Sequence, residues 1–599
     1  MNSAIERVKN HLAYKLGQAM IDFTNSSSGG GYIALFKKLY KIKKQHKKEQ
    51  KIYQQTIQIF PQLKYPSLET CPDYNEALRY KFHLSYMLGE VLIKAYQNWY
   101  KGAGFKLKNN IKKANKEFQI FREIFKEFKE LNGEALKAIK DNKQLFLKEF
   151  PRIKNILKTH QNYQPIMNNI FHNFNYFMQN FDLIEEWLLS DDFKERYKKE
   201  NHPYPSLLDP KKLNDEDEEI NYHNIPAELA WEMNLPLPDN YEFIHLAHFG
   251  SAYQAMSALY FYCNLKVAHC FSPENGKITY NSIYDQLFSH CNVLYLDGFN
   301  MTNKGQYKFF NLIAKKVPLV TVVRDPIERF KPLVNHLTHN PNTKYEFNLS
   351  DDPEIILDSV RYYNIDNLSS THPNVKNIAT YYCGYMSHIN FSLKSRIDCL
   401  TNITKIIYLD MDKIIGKNTF NTMKVLSRIL GFNIPNSINQ KKFNGKINGG
   451  DFLGLLPRTL RVSCSKNKDI LITITTHQQA PLEIYDITNK IFNNKLFSDE
   501  ILIFMENEQN FNIIYDDYKL FDKISKYFKR FIYILEEQIK KENEKRVQVQ
   551  EILSFFKNHR DIYDYFSNIF KFELQDLENS NFKIIKKWNA YEQFNNLFK

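Results

Sequence analysis

Between Phe243 and Phe432 the chain repeatedly sets a short apolar run before a segment of helical period, and this alternation constrains its fold more than any other feature. The runs are "FIHL" (Phe243–Leu246), "CNVLYLDGFN" (Cys291–Asn300), "VPLVTVVR" (Val317–Arg324) and "TKIIYLDMDKII" (Thr404–Ile415). Short continuous apolar runs of this kind suit strands buried on both faces. Strands separated by helices pair in parallel, because a crossover must return the chain to the same end of the sheet. The expected fold is therefore α/β, a mostly parallel central sheet covered by helices and flanked by further helical regions at both ends of the chain. Ligands of such sheets sit beyond the carboxyl ends of the strands. The loops at 247–252, 297–301 and 324–329 are expected to share that edge.

Two of these loops carry residues suited to an anion. In "AHFGSA" Gly250 lets the backbone approach a ligand closely, and the Ser251 hydroxyl joins the free N–H groups that open the next helix. The loop is not a Walker A sequence, since G-x-x-x-x-G-K-[ST] is absent. In "VVRDPIERFKP" Arg324 stands where a strand emerges, Asp325-Pro326 is expected to open a helix, and Arg329 follows. A strand-end guanidinium can grip a phosphate with two parallel hydrogen bonds. The plainer reading pairs Arg324 with Asp325 or Glu328 and leaves Arg329 as a charge on the helix surface.

The charge is unevenly spread. The 599 residues carry a formal net charge of +14, and residues 1–120 hold 21 Lys+Arg against 8 Asp+Glu. The basic character belongs to one end and not to the α/β centre. That end is also repetitive: "VKNHLAYKLGQAMI" (Val8–Ile21) recurs as "YKFHLSYMLGEVLI" (Tyr80–Ile93), with His11, Tyr14 and Leu16-Gly17 matching His83, Tyr86 and Leu88-Gly89. Each copy leads through a glycine-containing break into a lysine-rich helix. Such a module reads either as peripheral contact with an anionic surface, such as the inner membrane leaflet, or as a solvated basic helical pair. It holds no recognised nucleic-acid-binding module, so nucleic acid is not an expected partner.

The expected organisation is a basic helical repeat at 1–120, a helical segment and linker at 121–225, an α/β domain at 226–465, and a mixed, then helical, region at 466–599. "DILITITTHQQAPLEIYDI" and "EILIFMENEQNFNIIY" read as strands of an added sheet, and the chain from Lys519 reads as an exposed helical hairpin. No apolar run is long enough to span a bilayer. The seven cysteines are scattered without zinc-ligand spacing, which suits free thiols in a reducing, cytoplasmic setting and implies no metal site.

The centre resembles sulfotransferases that use 3′-phosphoadenosine 5′-phosphosulfate, over roughly residues 238–435, through "AHFGSA", "VVRDPIERFKP" and "IIYLDMDKII…VLSRILGF". The resemblance implies a 5′-phosphosulfate loop at Phe249, Gly250, Ser251 and Ala252, and a 3′-phosphate site at Arg324 and Arg329. His248 falls where the family has the loop Lys or Arg that neutralises the bridging oxygen, and Pro332 falls where it has a phosphate-binding Ser. Asp297 lies near the position of the catalytic base in many members. Lys446 falls where the family often has a basic loop over the nucleotide. The repeat and "PAELAWEMNLPLPDNYEFI" also resemble an uncharacterised epsilon-proteobacterial family associated with surface glycans and sugar transferases. Together they imply transfer of a sulfuryl group to a cell-surface glycan or its lipid-linked precursor. A nucleotide-sugar glycosyltransferase, with "DMD" (Asp410–Asp412) as its D-x-D motif, and a scaffold that keeps the fold without the chemistry are the rival readings.

Overall fold

The structure, a computed structural model, describes residues 3–25, 31–98, 106–127, 133–270, 272, 275–367, 369–382, 390–437, 440–445, 452, 454–464, 468–481, 483–492 and 498–599. Lys446 lies outside them. The chain divides into two units, one formed by Met1–Lys211 with Glu232–Leu235, the other by Lys212–Trp231 with Pro236–Lys599.

In the first unit the repeat becomes two helices, Leu12–Asn25 and Leu84–Gln97, that cross at their glycines. A Cβ added to Gly17 would lie 1.7 Å from the carbonyl oxygen of Ser85, and one added to Gly89 would lie 1.7 Å from that of Ala13. Ser85 is the repeat equivalent of Ala13, so the same contact is made twice and the module is an internal pseudo-dimer. The matched histidines pack within it: His11 stacks on Tyr86 with ring centroids 5.4 Å apart, and His83 lies against Tyr80. Burial lowers the pKa of both. The two lysine-rich helices that follow are Gly31–Ile59 and Leu107–Glu127. Further helices bury a run of aromatic rings, among them Phe146, Phe174, Phe177, Trp187 and Phe193.

Among the described residues the second unit has ten strands: β1 Phe243–Leu246, β2 Val267–His269, β3 Val293–Leu296, β4 Val317–Val323, β5 Glu346–Phe347, β6 Ile403–Asp410, β7 Arg458–Cys464, β8 Lys468–Thr476, β9 Tyr485–Asp486 and β10 Ile501–Met505. One sheet has the order β2-β3-β1-β4-β6 and every pairing in it is parallel. β1, β3 and β4 are mostly apolar because both their faces are covered, while the edge strand β6 exposes Thr404 and Lys405. The helices Tyr253–Tyr262 and Thr419–Leu430 share a core with the sheet through Met256, Leu259, Met423 and Leu426. Since β3, β1 and β4 are neighbours, the loops after them leave the sheet side by side. The other sheet, β5-β7-β8-β10-β9, is antiparallel apart from the β5–β7 pair.

Several local expectations are corrected. β2, of three residues, was not among the strands read from the sequence. The helix after β4 begins at Phe330 and not at Pro326, because Asp325 Oδ1 accepts from the N–H groups of Ile327 and Glu328 and holds a turn there. Glu508–Asp516 is a helix, with Asn507 capping it, not a strand. The helix Tyr518–Lys545 is no exposed hairpin: Phe528, Phe531 and Leu535 enter the core of the second sheet. The polar segment 201–226 is packed, burying Leu207 and Leu208 in the first unit and Tyr222 and Ile225 in the second.

Candidate active site

The carboxyl edge of the parallel sheet gathers three features. The first is an acid–base pair at the tips of β2 and β3. Asp297 is fully buried, and its Oδ2 lies 2.8 Å from His269 Nε2 and accepts from the Tyr253 hydroxyl at 3.2 Å. A carboxylate on Nε2 holds the proton there and leaves Nδ1 with a free lone pair. The His269 side chain is 32% exposed, so this imidazole can meet a ligand while its orienting partner cannot. Burial and the adjacent Asp297 push the Tyr253 phenol well above its ordinary range, which keeps it a donor. The other oxygen of Asp297 has no hydrogen-bond partner among the described residues.

The second feature is a set of arginines that ties the loops together. Arg396 is fully buried and donates to the carbonyls of Ala247 at 3.0 Å, Ser392 at 2.7 Å and Asp297, and to His248 Nδ1 at 2.6 Å. Arg329 donates to Phe249 O at 3.1 Å and to Asn390 O, with its guanidinium over the Phe391 ring. It is no surface charge: burial and the neighbouring Arg396 and Arg324 lower its pKa to about 9, which leaves it charged at neutral pH. Arg324 donates to Gly250 O at 2.8 Å and pairs with Glu328 at 3.3 Å. The charge on Arg396 is offset by Asp297 and Glu573.

These contacts bear on two expected roles. His248 supplies no positive charge, because burial first, and then the Arg396 and Arg329 charges, hold its pKa well below the ordinary histidine value. The cation at that place is Arg396. The loop 249–252 is held by the arginines beside it. Its carbonyls at Phe249 and Gly250 face guanidiniums, Ser251 is buried, and Ala252 opens the helix in the left-handed region with φ +56°. At Gly250 (φ +74°) a Cβ would meet Arg329 O at 2.9 Å and Pro332 Cγ at 3.3 Å, so the glycine serves close packing of the two loops.

The third feature is a pocket of about 420 Å³ at the tips of β4 and β6, lined by Arg324, Glu328, Asp410, Asp412, Lys587 and Trp588 among others. Arg324, whose side chain is 22% exposed, is the one arginine of the three with surface in this pocket. Lys587 pairs with Asp410 at 3.1 Å. C-terminal residues close this end of the site: Asp325 Oδ2 accepts from Tyr591 N at 3.0 Å, and Glu573 accepts from Leu393 N at 2.8 Å and from the Ser395 hydroxyl at 2.6 Å. Among the described residues no group of three or more His, Cys, Asp or Glu is arranged to hold a metal ion, and no helix is long and apolar enough to cross a membrane.

Of the residues singled out in the sequence, Asp297, His248, Phe249–Ala252, Arg324 and Arg329 all lie at this edge, where Arg324 and Arg329 hold the carbonyls of Gly250 and Phe249 while Asp297 and His248 meet residues not singled out. His269, Tyr253 and Arg396 were missed. His269 ends a strand too short to register as a pattern, and Arg396 sits in a non-periodic stretch with no local signal. Residues 1–120 match a family model described as a domain of unknown function (DUF8374), and residues 408–599 match one described as a protein of unknown function (DUF2972). No curated protein and no solved structure matches the chain.

Proposed function

We propose that the chain is a transferase in which His269 takes the proton of an acceptor hydroxyl, and that the group transferred is sulfuryl from 3′-phosphoadenosine 5′-phosphosulfate. The acceptor class is a cell-surface glycan or its lipid-linked precursor, as the resemblance of the chain implies. The observation that carries the reading is the His269–Asp297 pair: an accessible imidazole held by a fully buried carboxylate at 2.8 Å, on the ligand edge of a parallel sheet. Asp297 fixes the tautomer and ring orientation, and Nδ1 receives the proton as the acceptor oxygen attacks sulfur. The S–O bond to the phosphate breaks in line, and the leaving phosphate carries off the electron pair. Arg324 supplies the partly exposed positive charge. Strand order puts the tips of β3 and β4 two spacings apart, about 10 Å, the scale of one nucleotide.

The test measures adenosine 3′,5′-bisphosphate binding by calorimetry, then sulfate transfer to glycan acceptors. His269→Ala is expected to keep nucleotide binding and lower transfer by about 10²–10⁴-fold, the usual worth of a general base. Arg324→Ala is expected to lose binding. A folded wild-type protein that binds no bisphosphate would refute the donor assignment. A second reading, transfer from a nucleotide sugar, is favoured by one observation: acids outnumber bases around the pocket, with Asp325, Glu328, Asp410 and Asp412 against Arg324 and Lys587. Binding of UDP that requires a divalent cation, with none of the bisphosphate, would decide for it.

A further inference from the structure

The basic repeat module carries a surface that the transfer chemistry does not use. The helix Gly31–Ile59 holds eight lysines and one acidic residue, and at about 1.5 Å per residue it is roughly 43 Å long. Of its residues Leu35 alone is fully buried. Its first turns expose large apolar side chains: Tyr32 is 75% exposed, Ile33 72%, Phe36 63% and Tyr40 70%. Beside them lies an apolar groove of about 550 Å³, lined by Leu12, Leu16, Phe36, Leu39, Tyr40 and Leu92 among others. Helical spacing puts Lys37, Lys41, Lys44 and Lys48 in one row along the flank of this apolar patch.

We infer that this helix and groove dock on the surface of a bilayer containing anionic lipid. An extended row of exposed lysines matches a plane of negative charge, whereas a single phosphate group would call for a tight cluster around one point. The aromatic and aliphatic side chains at one end of the row supply what free phosphate could not engage, an apolar face that enters the boundary between headgroups and acyl chains. The groove takes the upper part of one acyl chain, and Lys43, lying over the Tyr96 ring at its rim, meets the headgroup. Charge complementarity and exposed apolar area therefore choose the same occupant.

The full chain would be centrifuged with vesicles of phosphatidylcholine alone and of phosphatidylcholine with about one-third phosphatidylglycerol, at matched ionic strength. Binding is expected only to the anionic vesicles, falling as salt rises. Each lysine near such a surface contributes about fivefold, so Lys37→Gln/Lys41→Gln/Lys44→Gln/Lys48→Gln lowers partitioning by on the order of 10²–10³-fold. The matching set of arginine substitutions retains binding. Phe36→Ser/Tyr40→Ser keeps the salt dependence and weakens binding, since it removes the inserted face alone. These side chains are exposed, so circular dichroism should match the wild type in every variant. Equal binding to neutral vesicles, no binding to anionic ones, or full retention by the glutamine variant would overturn the inference. So would loss of vesicle binding to competing inorganic phosphate at constant ionic strength, or a dimer that the same substitutions dissociate without any vesicle binding.

Discussion

Replacing Gly17 by alanine sets two effects of opposite sign against each other. Within a helix alanine is more favourable than glycine by about 1 kcal/mol, so propensity alone predicts a stabilised repeat module. The crossing predicts the reverse. The new Cβ would stand 1.7 Å from Ser85 O and 2.8 Å from Gly89 N, both backbone atoms that no side-chain rotation can move. Ordinary carbon–oxygen contact begins near ~3.3 Å, so the helices must part by roughly 1.6 Å. A gap of about 1 Å already forfeits up to half of a contact's dispersion energy, and overpacking of this kind costs about 3 kcal/mol. The net loss is about 2 kcal/mol, a fall of about 30-fold in protection. Hydrogen–deuterium exchange over Leu12–Asn25 and Leu84–Gln97 reads this directly, and the loss should appear in both helices. Gly89→Ala should reproduce it through Ala13, and the double variant should cost less than the sum because one separation relieves both clashes. Protection that is unchanged, or raised about fivefold as propensity demands, would refute the reciprocal crossing.

Other outcomes follow from buried groups. Burial lowers the pKa of His160 to about 4, so the unfolded chain binds its proton more readily. This contribution to stability is whole above pH 6.5 and is lost as pH falls toward 4, about 2 kcal/mol by pH 5. Urea midpoints at pH 7 and 5 should differ by that amount, less so in His160→Gln, and equal shifts in both proteins would sink the assignment. Arg396→Met leaves three carbonyls and a histidine nitrogen without their donor and should cost about 3–5 kcal/mol. Arg396→Lys should recover part of that in the same denaturation assay, and a neutral Arg396→Met would contradict the clamp. Glu573→Ala, which strips the N–H groups of Leu393 and Ser395 of their acceptor, should cost about 2 kcal/mol by the same measure, and an unchanged midpoint would contradict the role given to Glu573.

Much of the parallel sheet was legible because strands buried on both faces are mostly apolar, as β1, β3 and β4 are, and the edge strand β6 keeps an apolar run through Ile406, Ile407 and Leu409. β2 was not, since Val267–His269 is too short to form a pattern. That strand carries His269, so the accessible half of the acid–base pair was hidden while its buried half, Asp297, could be found at the end of a clear strand. Residue identity was also a poor guide to charge. His248 has its pKa lowered first by burial and then by Arg396, 148 residues away in sequence, and no local pattern reports such a neighbour. Arg324 makes the Glu328 pair of its plainer reading, anchors Gly250 O and keeps surface in a pocket. Arg329 is not the surface charge of its plainer reading: it is buried and donates to carbonyls, partners that a search for carboxylates does not see.

The carboxylate of Asp325 has one oxygen on its own turn and the other on the N–H of Tyr591, 266 residues later. A chain emerging from the ribosome has every strand of the parallel sheet once β6 is out, but this tie waits for Tyr591. A nascent chain halted short of residue 591 would hold every strand of that sheet and the His269–Asp297 pair, with one end of the candidate site still unclosed. Tyr591 follows Asp410, the last residue of β6, by 181 positions, so the order of synthesis separates formation of the sheet from closure of the site.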